Sequence, residues 1–488
     1  MKFLKYVIAI CFMFGQFLVA QEKPNIVMII VDDFGYHDIG FHGSQIHQTP
    51  AIDNLAKTGV VFKNGYSSYP RCTPSRYGMF TGTYPVNESK GYLGGIDKSK
   101  NFIHQFNEAG YDTSYVGKWH IGGEESSPTG FGFKNSYAAG HAGGVDTRHY
   151  PFNTKTLEKQ KAKAENEKGK KKKGHGEKYP VLNVTEDGKK GDYLSDVLTD
   201  ATIGFIENRD KKKPFFTVLA YYAVHTPIEA KKEDEERNKK EIKAFDYGDG
   251  PEYIKEGAGR RKMRQDNAAY AGMVENVDEN IARVVATLKK QGLDKNTIIV
   301  VTSDHGGLSN GGHKGERLLA TTNLPFKAGK GWLYEGGIRV PYIINWKGTL
   351  KPKFEKKSIV LGMDIIPTLL DLSIDKKVKG IDGKSFKSVL EGKEKWDDRT
   401  VYWRSIKARP HSTGDEKTEV VRSGDYKLLY FKDSDKVELY NVVKDEGELN
   451  DLASIENAKK QELLGLLKSW KKEYLIPSKV KIYPPKKK

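Results

Sequence analysis

Cysteine is nearly absent: the 488-residue chain has two, Cys11 and Cys72. Cys11 falls in an apolar stretch, residues 6–20, that follows Lys2 and Lys5 and ends in small or aliphatic residues before polar Gln21. The stretch is too short to span a bilayer comfortably and reads as a secretory signal peptide over residues 1–20. Its removal leaves Cys72 alone, which excludes a disulfide framework. No later run is apolar enough to cross a membrane, so the mature chain is expected to be secreted or periplasmic, without a stable membrane anchor. Internal repeats are also missing, and 50 Gly and 19 Pro without a triplet period exclude a collagen-like chain. Hydrophobic residues at 37% and aromatics at 11% exclude a mainly disordered one.

Positive charge is in excess. The chain carries 81 Lys and Arg against 64 Asp and Glu, a formal +17, which suits a polyanionic partner. The excess is local, however. Residues 155–178 hold ten Lys against four Glu, and residues 479–488 hold five Lys and no acid. Outside these segments and the signal the chain is nearly balanced, so no nucleic-acid partner is expected. The two Lys-rich segments either hold a polyanion near a site or are ordinary solvated loops.

Asn25–Val31 is a continuous apolar run rich in β-branched residues, the pattern of a strand buried on both faces of a parallel sheet, and it ends in Asp32-Asp33. Residues 297–302 repeat the construction and run into Ser303-Asp304-His305. Before them Val274, Val277, Ile281, Val284, Val285 and Leu288 recur at helical spacing, with Gly292 as a C-cap. Residues 215–220 lead to His225, and residues 111–116 to Gly117-Lys118-Trp119-His120. Ligands of open α/β sheets sit beyond the carboxyl ends of the strands, so four runs deliver acids, a lysine and histidines to one edge. Near Trp396 the texture changes to short strands over residues 400–405, 418–431 and 436–442, then a helix marked by Leu463, Leu466, Leu467, Trp470 and Tyr474. The expected fold is α/β: a large mixed, mostly parallel sheet between helices over residues 21–395, with a smaller antiparallel sheet plus helix over residues 396–488.

Three carboxylates at two strand ends, Asp32, Asp33 and Asp304, suit a hard cation such as calcium, with helix N-capping as the alternative role for an Asp pair. Around the single mature cysteine the sequence reads Cys72-Thr73-Pro74-Ser75-Arg76, then Thr81-Gly82-Thr83-Tyr84-Pro85. With the segments at Asp32, Gly117 to His120, His225 and Asp304, the run Gly329-Lys330-Gly331-Trp332 and the later Gly424-Asp425-Tyr426-Lys427, this resembles the formylglycine-dependent (type I) sulfatases of the alkaline phosphatase superfamily over nearly the whole mature chain.

The resemblance implies an alkaline phosphatase-like fold and hydrolysis of sulfate esters, with a sulfated carbohydrate as the expected substrate. It implies that a formylglycine-generating enzyme oxidises Cys72. One hydroxyl of the resulting hydrate would attack sulfur, and collapse of the hemiacetal would expel sulfate. It makes Asp32, Asp33, Asp304, His305 and the position-72 oxygen ligands of one Ca2+, although many members carry Asn where His305 stands. Arg76 would stabilise the hydrate, Lys118 and Lys330 the sulfate oxygens; His120 would assist elimination, and His225 with Lys330 would sit at the leaving oxygen. The alternatives are a formylglycine-dependent phosphodiester or phosphonate monoester hydrolase and a non-catalytic polyanion-binding protein. His42, His47, His141, Arg148, His149 and His411 are read as solvated loop residues rather than sugar contacts.

Overall fold

The computed structural model describes residues 23–85, 101–122, 127–140, 142–153, 158, 188–313 and 317–474. The signal segment, the Lys-rich segment 155–178 apart from Glu158, the tail 479–488 and His141 lie outside the described residues. No described helix is long and apolar enough to cross a membrane.

In chain order the strands are β1 (Asn25–Val31), β2 (Val60–Tyr66), β3 (Asp112–Gly117), β4 (Asn135–Tyr137), β5 (Phe215–Ala220), β6 (Tyr253–Glu256), β7 (Gly259–Lys262), β8 (Thr297–Ser303), β9 (Asn310–Gly311), β10 (Tyr342–Asn345), β11 (Lys353–Leu361), β12 (Thr400–Ser405), β13 (Thr418–Ser423), β14 (Tyr426–Phe431) and β15 (Lys436–Asn441). Eight of them form one sheet in the order β11-β2-β10-β8-β1-β5-β3-β4. Only β10 runs antiparallel to its neighbours. β1 lies inside the sheet between β8 and β5, parallel to both, which is why every residue of its run is apolar or buried.

Alternate residues of β1 face opposite layers. Val27, Ile29 and Val31 pack with Leu198 of helix Leu194–Asn208 and with Val274, Val277 and Ile281 of helix Ala268–Lys290. Ile26, Met28 and Ile30 pack with Phe102 and Phe106 of helix Phe102–Glu108 and with Ile366 and Leu369 of helix Ile365–Ile374. The two helical layers expected from the sequence are therefore present, and so is the mainly parallel sheet.

The second sheet, β12-β13-β14-β15, is wholly antiparallel. The segment 418–431 is a hairpin turning at Gly424, and helix Asn457–Tyr474 lays Leu463, Leu467 and Trp470 on one face of this sheet. Its other face shares a core with Trp332, Leu333 and Tyr334, the segment just after Lys330. A third sheet, β6-β7-β9, was not legible in the sequence, because its strands are only two to four residues long.

Candidate active site

Four strands of the large sheet end at one place. β1 releases Asp32 and Asp33, β8 releases Asp304 and His305, β3 releases Lys118, and β5 leads through Tyr222 to His225. The turn into Lys118 depends on Gly117, which holds φ at +94° with β5 so close that an added Cβ would lie 2.0 Å from the Ala220 carbonyl oxygen. Opposite the strand ends, helix Cys72–Thr81 begins at Cys72, so the thiol sits at the positive end of the helix and Arg76 one turn further in. Lys330 arrives on the Gly329-Lys330-Gly331 bend, pinned where Lys330 N donates to Gly307 O (3.0 Å) and Gly331 N to Pro70 O (2.8 Å).

All ten residues singled out in the sequence converge here. Cys72 Sγ lies 3.2 Å from His305 Nε2, and His120 hydrogen-bonds to the same thiol. Lys118 Nζ donates to Asp32 Oδ2; Lys330 Nζ donates to both oxygens of Asp33 (2.6 and 2.8 Å). Arg76 Nε donates to Asp304 Oδ2 (2.7 Å), and Nη1 to the Lys118 carbonyl. His225 Nε2 is 3.9 Å from Asp33 Oδ2. Since a carbonyl can only accept, His225 Nδ1 carries the proton it shares with Thr226 O (2.7 Å), and His305 Nδ1 the one it shares with Gly306 O (3.0 Å).

Crowding like and unlike charges in a buried space spreads their acidities. Burial and Asp304 push the Asp32 carboxyl well above the usual range. Burial also raises Asp33 and Asp304, but Lys330 and His225 outweigh it for the first and Arg76 for the second, and both stay low. The Cys72 thiol is held well below its ordinary value because Lys118, Lys330 and His305 outweigh its burial. Burial lowers His120 to about 4 and His225 to about 3, the latter helped by Lys330. His305 goes the other way, to about 9: burial is outweighed by Asp304, Cys72 and Asp33.

A divalent cation fits these residues. Donor atoms of Asp32, Asp33, Cys72 and His305 lie within 4.8 Å of one another, and Asp32 Oδ1 is buried with no hydrogen-bond partner among the described residues. Asp304 stands beside this group of four: Oδ2 is taken by Arg76, while Oδ1 accepts from Asp33 N (3.3 Å) and lies 3.7 Å from His305 Nε2. With Nδ1 committed to a carbonyl, Nε2 of His305 is the nitrogen a cation and a proton compete for.

Two of the histidines and arginines expected to be solvated are buried. His47 (4% exposed) sits with Nδ1 3.3 Å from Asp38 Oδ1, and Arg148 (0% exposed) donates to three backbone carbonyls around His225. A side chain that caps distant main-chain groups leaves no local pattern in the sequence. The Gly143-Gly144 pair preceding Arg148 was also missed. A Cβ on Gly143 would come within 2.7 Å of the His120 ring, and one on Gly144 within 3.6 Å of His225 Nδ1. The segment 143–148 is thus a wall of the site.

The family model "Sulfatase" matches residues 24–375, and "N-sulphoglucosamine sulphohydrolase, C-terminal" matches residues 328–473. A protein of Formosa agariphila named "Sulfatase" is 27% identical, covering 91% of this chain and 87% of its own. An "Arylsulfatase" of Clostridium perfringens is also 27% identical, covering 90% and 92%. Among solved structures, Ps i-CgsB in complex with k-i-k-neocarrahexaose is 28% identical with a TM-score of 0.70 and covers 92% of this chain and 93% of its own. With its fold, its converging strand ends and a family match across most of its length, the chain belongs to the sulfatase family and is a sulfuric ester hydrolase.

Proposed function

We propose that this sulfatase removes sulfate from a carbohydrate with position 72 as formylglycine and one divalent cation, calcium, held by Asp32, Asp33, Asp304, His305 and the position-72 oxygen. The observation that carries the reading is the meeting of the sole thiol of residues 21–488 with two carboxylates and an imidazole inside a ring of Lys118, Lys330, Arg76, His120 and His225. A relative of similar size bound to a carrageenan-type oligosaccharide supports the substrate class. The cation would add positive charge over the sulfate oxygens, and formylglycine would put an oxygen nucleophile where the thiol stands.

The chain's own residues account for the rest. Lys118 and Lys330 bring two ammonium groups to the pocket, suited to the non-bridging oxygens on which charge builds. His120, neutral at about 4, is able to accept a proton from the group at position 72. His225 would serve the departing alcohol: its Nδ1 is committed to Thr226 O, so the proton it delivers is on Nε2 of an imidazolium that an anionic substrate stabilises. Cys72 and Arg76 are 6% and 0% exposed, so a formylglycine-generating enzyme that reads them must meet the chain before it folds. Residues 1–20 would direct the chain to the periplasm or outside the cell.

Side-by-side turnover of an aryl sulfate and an aryl phosphate by the protein from its native host tests the reading, with mass spectrometry of the peptide containing residue 72. Faster sulfate turnover, an aldehyde in place of the thiol and activity lost to a chelator and restored by calcium are expected. Faster phosphate turnover would favour the phosphodiester or phosphonate reading, and an unmodified cysteine in active enzyme would refute the mechanism. Desulfation of defined sulfated oligosaccharides tests the carbohydrate assignment.

A further inference from the structure

We propose that Arg148 is the positioning residue of His225, setting where that imidazole presents Nε2 to the leaving oxygen; this rests on the reading of His225 as the group that protonates the departing alcohol. The guanidinium is wholly buried. Nη2 donates to Tyr222 O (2.9 Å) and His225 O, and Nε donates to Pro227 O (3.3 Å). One rigid fork therefore ties together three carbonyls of the bend that carries the histidine. The main chain of Arg148 is fastened as well: its N–H donates to Glu229 Oε2 (2.9 Å), and its carbonyl accepts from Leu194 N (2.9 Å).

The clamp reaches the ring through one intermediate. His225 Nδ1 is held by Thr226 O, and the carbonyls on either side of Thr226 O, those of His225 and Pro227, are the ones Arg148 grips. Fixing the flanking carbonyls fixes the middle one, hence the ring plane, hence Nε2. From the other side, Gly144 lies beside the ring, where a Cβ would be in ordinary contact with Nδ1 at 3.6 Å.

A merely structural part is a poor account of this residue. Nη1 makes no hydrogen bond among the described residues, and no carboxylate there forms an ion pair with the guanidinium. Burying a cation without an ion pair is unfavourable, and neutral donors of an Asn or Gln would satisfy a bend that needed only to be covered. The fork is what crosslinks three carbonyls at once. In the reaction step the position-72 oxygen would bond to sulfur as the bridging S–O bond breaks; the electron pair of the broken bond goes to the alcohol oxygen, and the proton on Nε2 completes the alcohol. A misplaced ring hurts that step most when the departing alcohol is weakly acidic.

The test is kcat for a series of aryl sulfates of rising leaving-group pKa, measured for the parent enzyme, Arg148→Lys, Arg148→Met, His225→Ala and Arg148→Lys/His225→Ala. For Arg148→Lys, kcat should fall less than about threefold with 4-nitrophenyl sulfate and more than about tenfold with the poorest leaving group, with KM little changed. His225→Ala should show the same slope, and the double variant should be no slower than His225→Ala. Arg148→Met should be slower than Arg148→Lys, which keeps one donor; if Arg148→Met is insoluble, Arg148→Lys alone decides. Equal loss across the series, or losses that multiply in the double variant, would overturn the proposal. A flat His225→Ala series would overturn the underlying reading of His225 and the proposal with it, whereas a steep His225→Ala beside a flat Arg148→Lys would overturn the proposal alone.

Discussion

Single side chains in this site are constrained by contacts that a sequence pattern does not advertise. Gly143 shows this: the nearest atom to a Cβ placed there is His120 Cε1 at 2.7 Å, closer than real contacts allow. Gly143→Ala should displace His120 from the position-72 group and lower kcat on a good aryl sulfate by about tenfold or more, with the circular dichroism spectrum unchanged. An unchanged kcat would show that the ring can give way without consequence. The acids, lysines and histidines of the site were legible because each follows an apolar run or a short Gly-containing motif. Arg148 was not, since its partners lie some 75 residues away and are backbone carbonyls, which look the same in every sequence.

Among the elements, helix Ala268–Lys290 was the easiest to read, because one stripe of Val and Ile faces the sheet while Lys289 and Lys290 occupy the last turn. Its start is capped by Asn267, whose side chain accepts from Tyr270 N (3.0 Å). Asn267→Ala should therefore lower stability by about 1 kcal/mol, read as an earlier denaturant midpoint, with catalysis unaffected. Helix Cys72–Thr81 was invisible to the same reasoning. Seven of its ten residues are buried, so no single face is apolar and no helical period emerges. The order of the sheet was likewise unreadable: an apolar run says that a strand is interior, but not which strands flank it.

For the molecule as a whole, the two sheets are joined through a buried charge network as well as through apolar packing. Lys427 on β14 donates to Glu335 Oε1 and pairs with Glu448 Oε1, both at 2.9 Å, and Glu335 also takes Arg339 Nε (2.6 Å) and Tyr66 OH (2.8 Å). Lys427, Glu335 and Glu448 are each no more than 1% exposed. Lys427→Met should leave buried Glu448 without its cation and Glu335 with Arg339 alone, and lower stability by roughly 3–5 kcal/mol, read by denaturant unfolding. Loss of less than about 1 kcal/mol would mean that the carboxylates take up protons or other partners at little expense.

The segment containing Lys427 was readable as a strand and as part of a family resemblance; its partners Glu335 and Glu448, remote along the chain, were not. Wherever an apolar run passes directly into a charged residue, the local residue order was enough to set the outcome, because burial of a parallel strand and exposure of its chemistry at the carboxyl end are local consequences of one stretch of chain. The tertiary structure alone decided the sheet order, the Arg148 clamp and the Lys427 network. Each depends on groups brought together across long separations, and the backbone acceptors and lone charges involved acquire their meaning only once folding has removed water from around them.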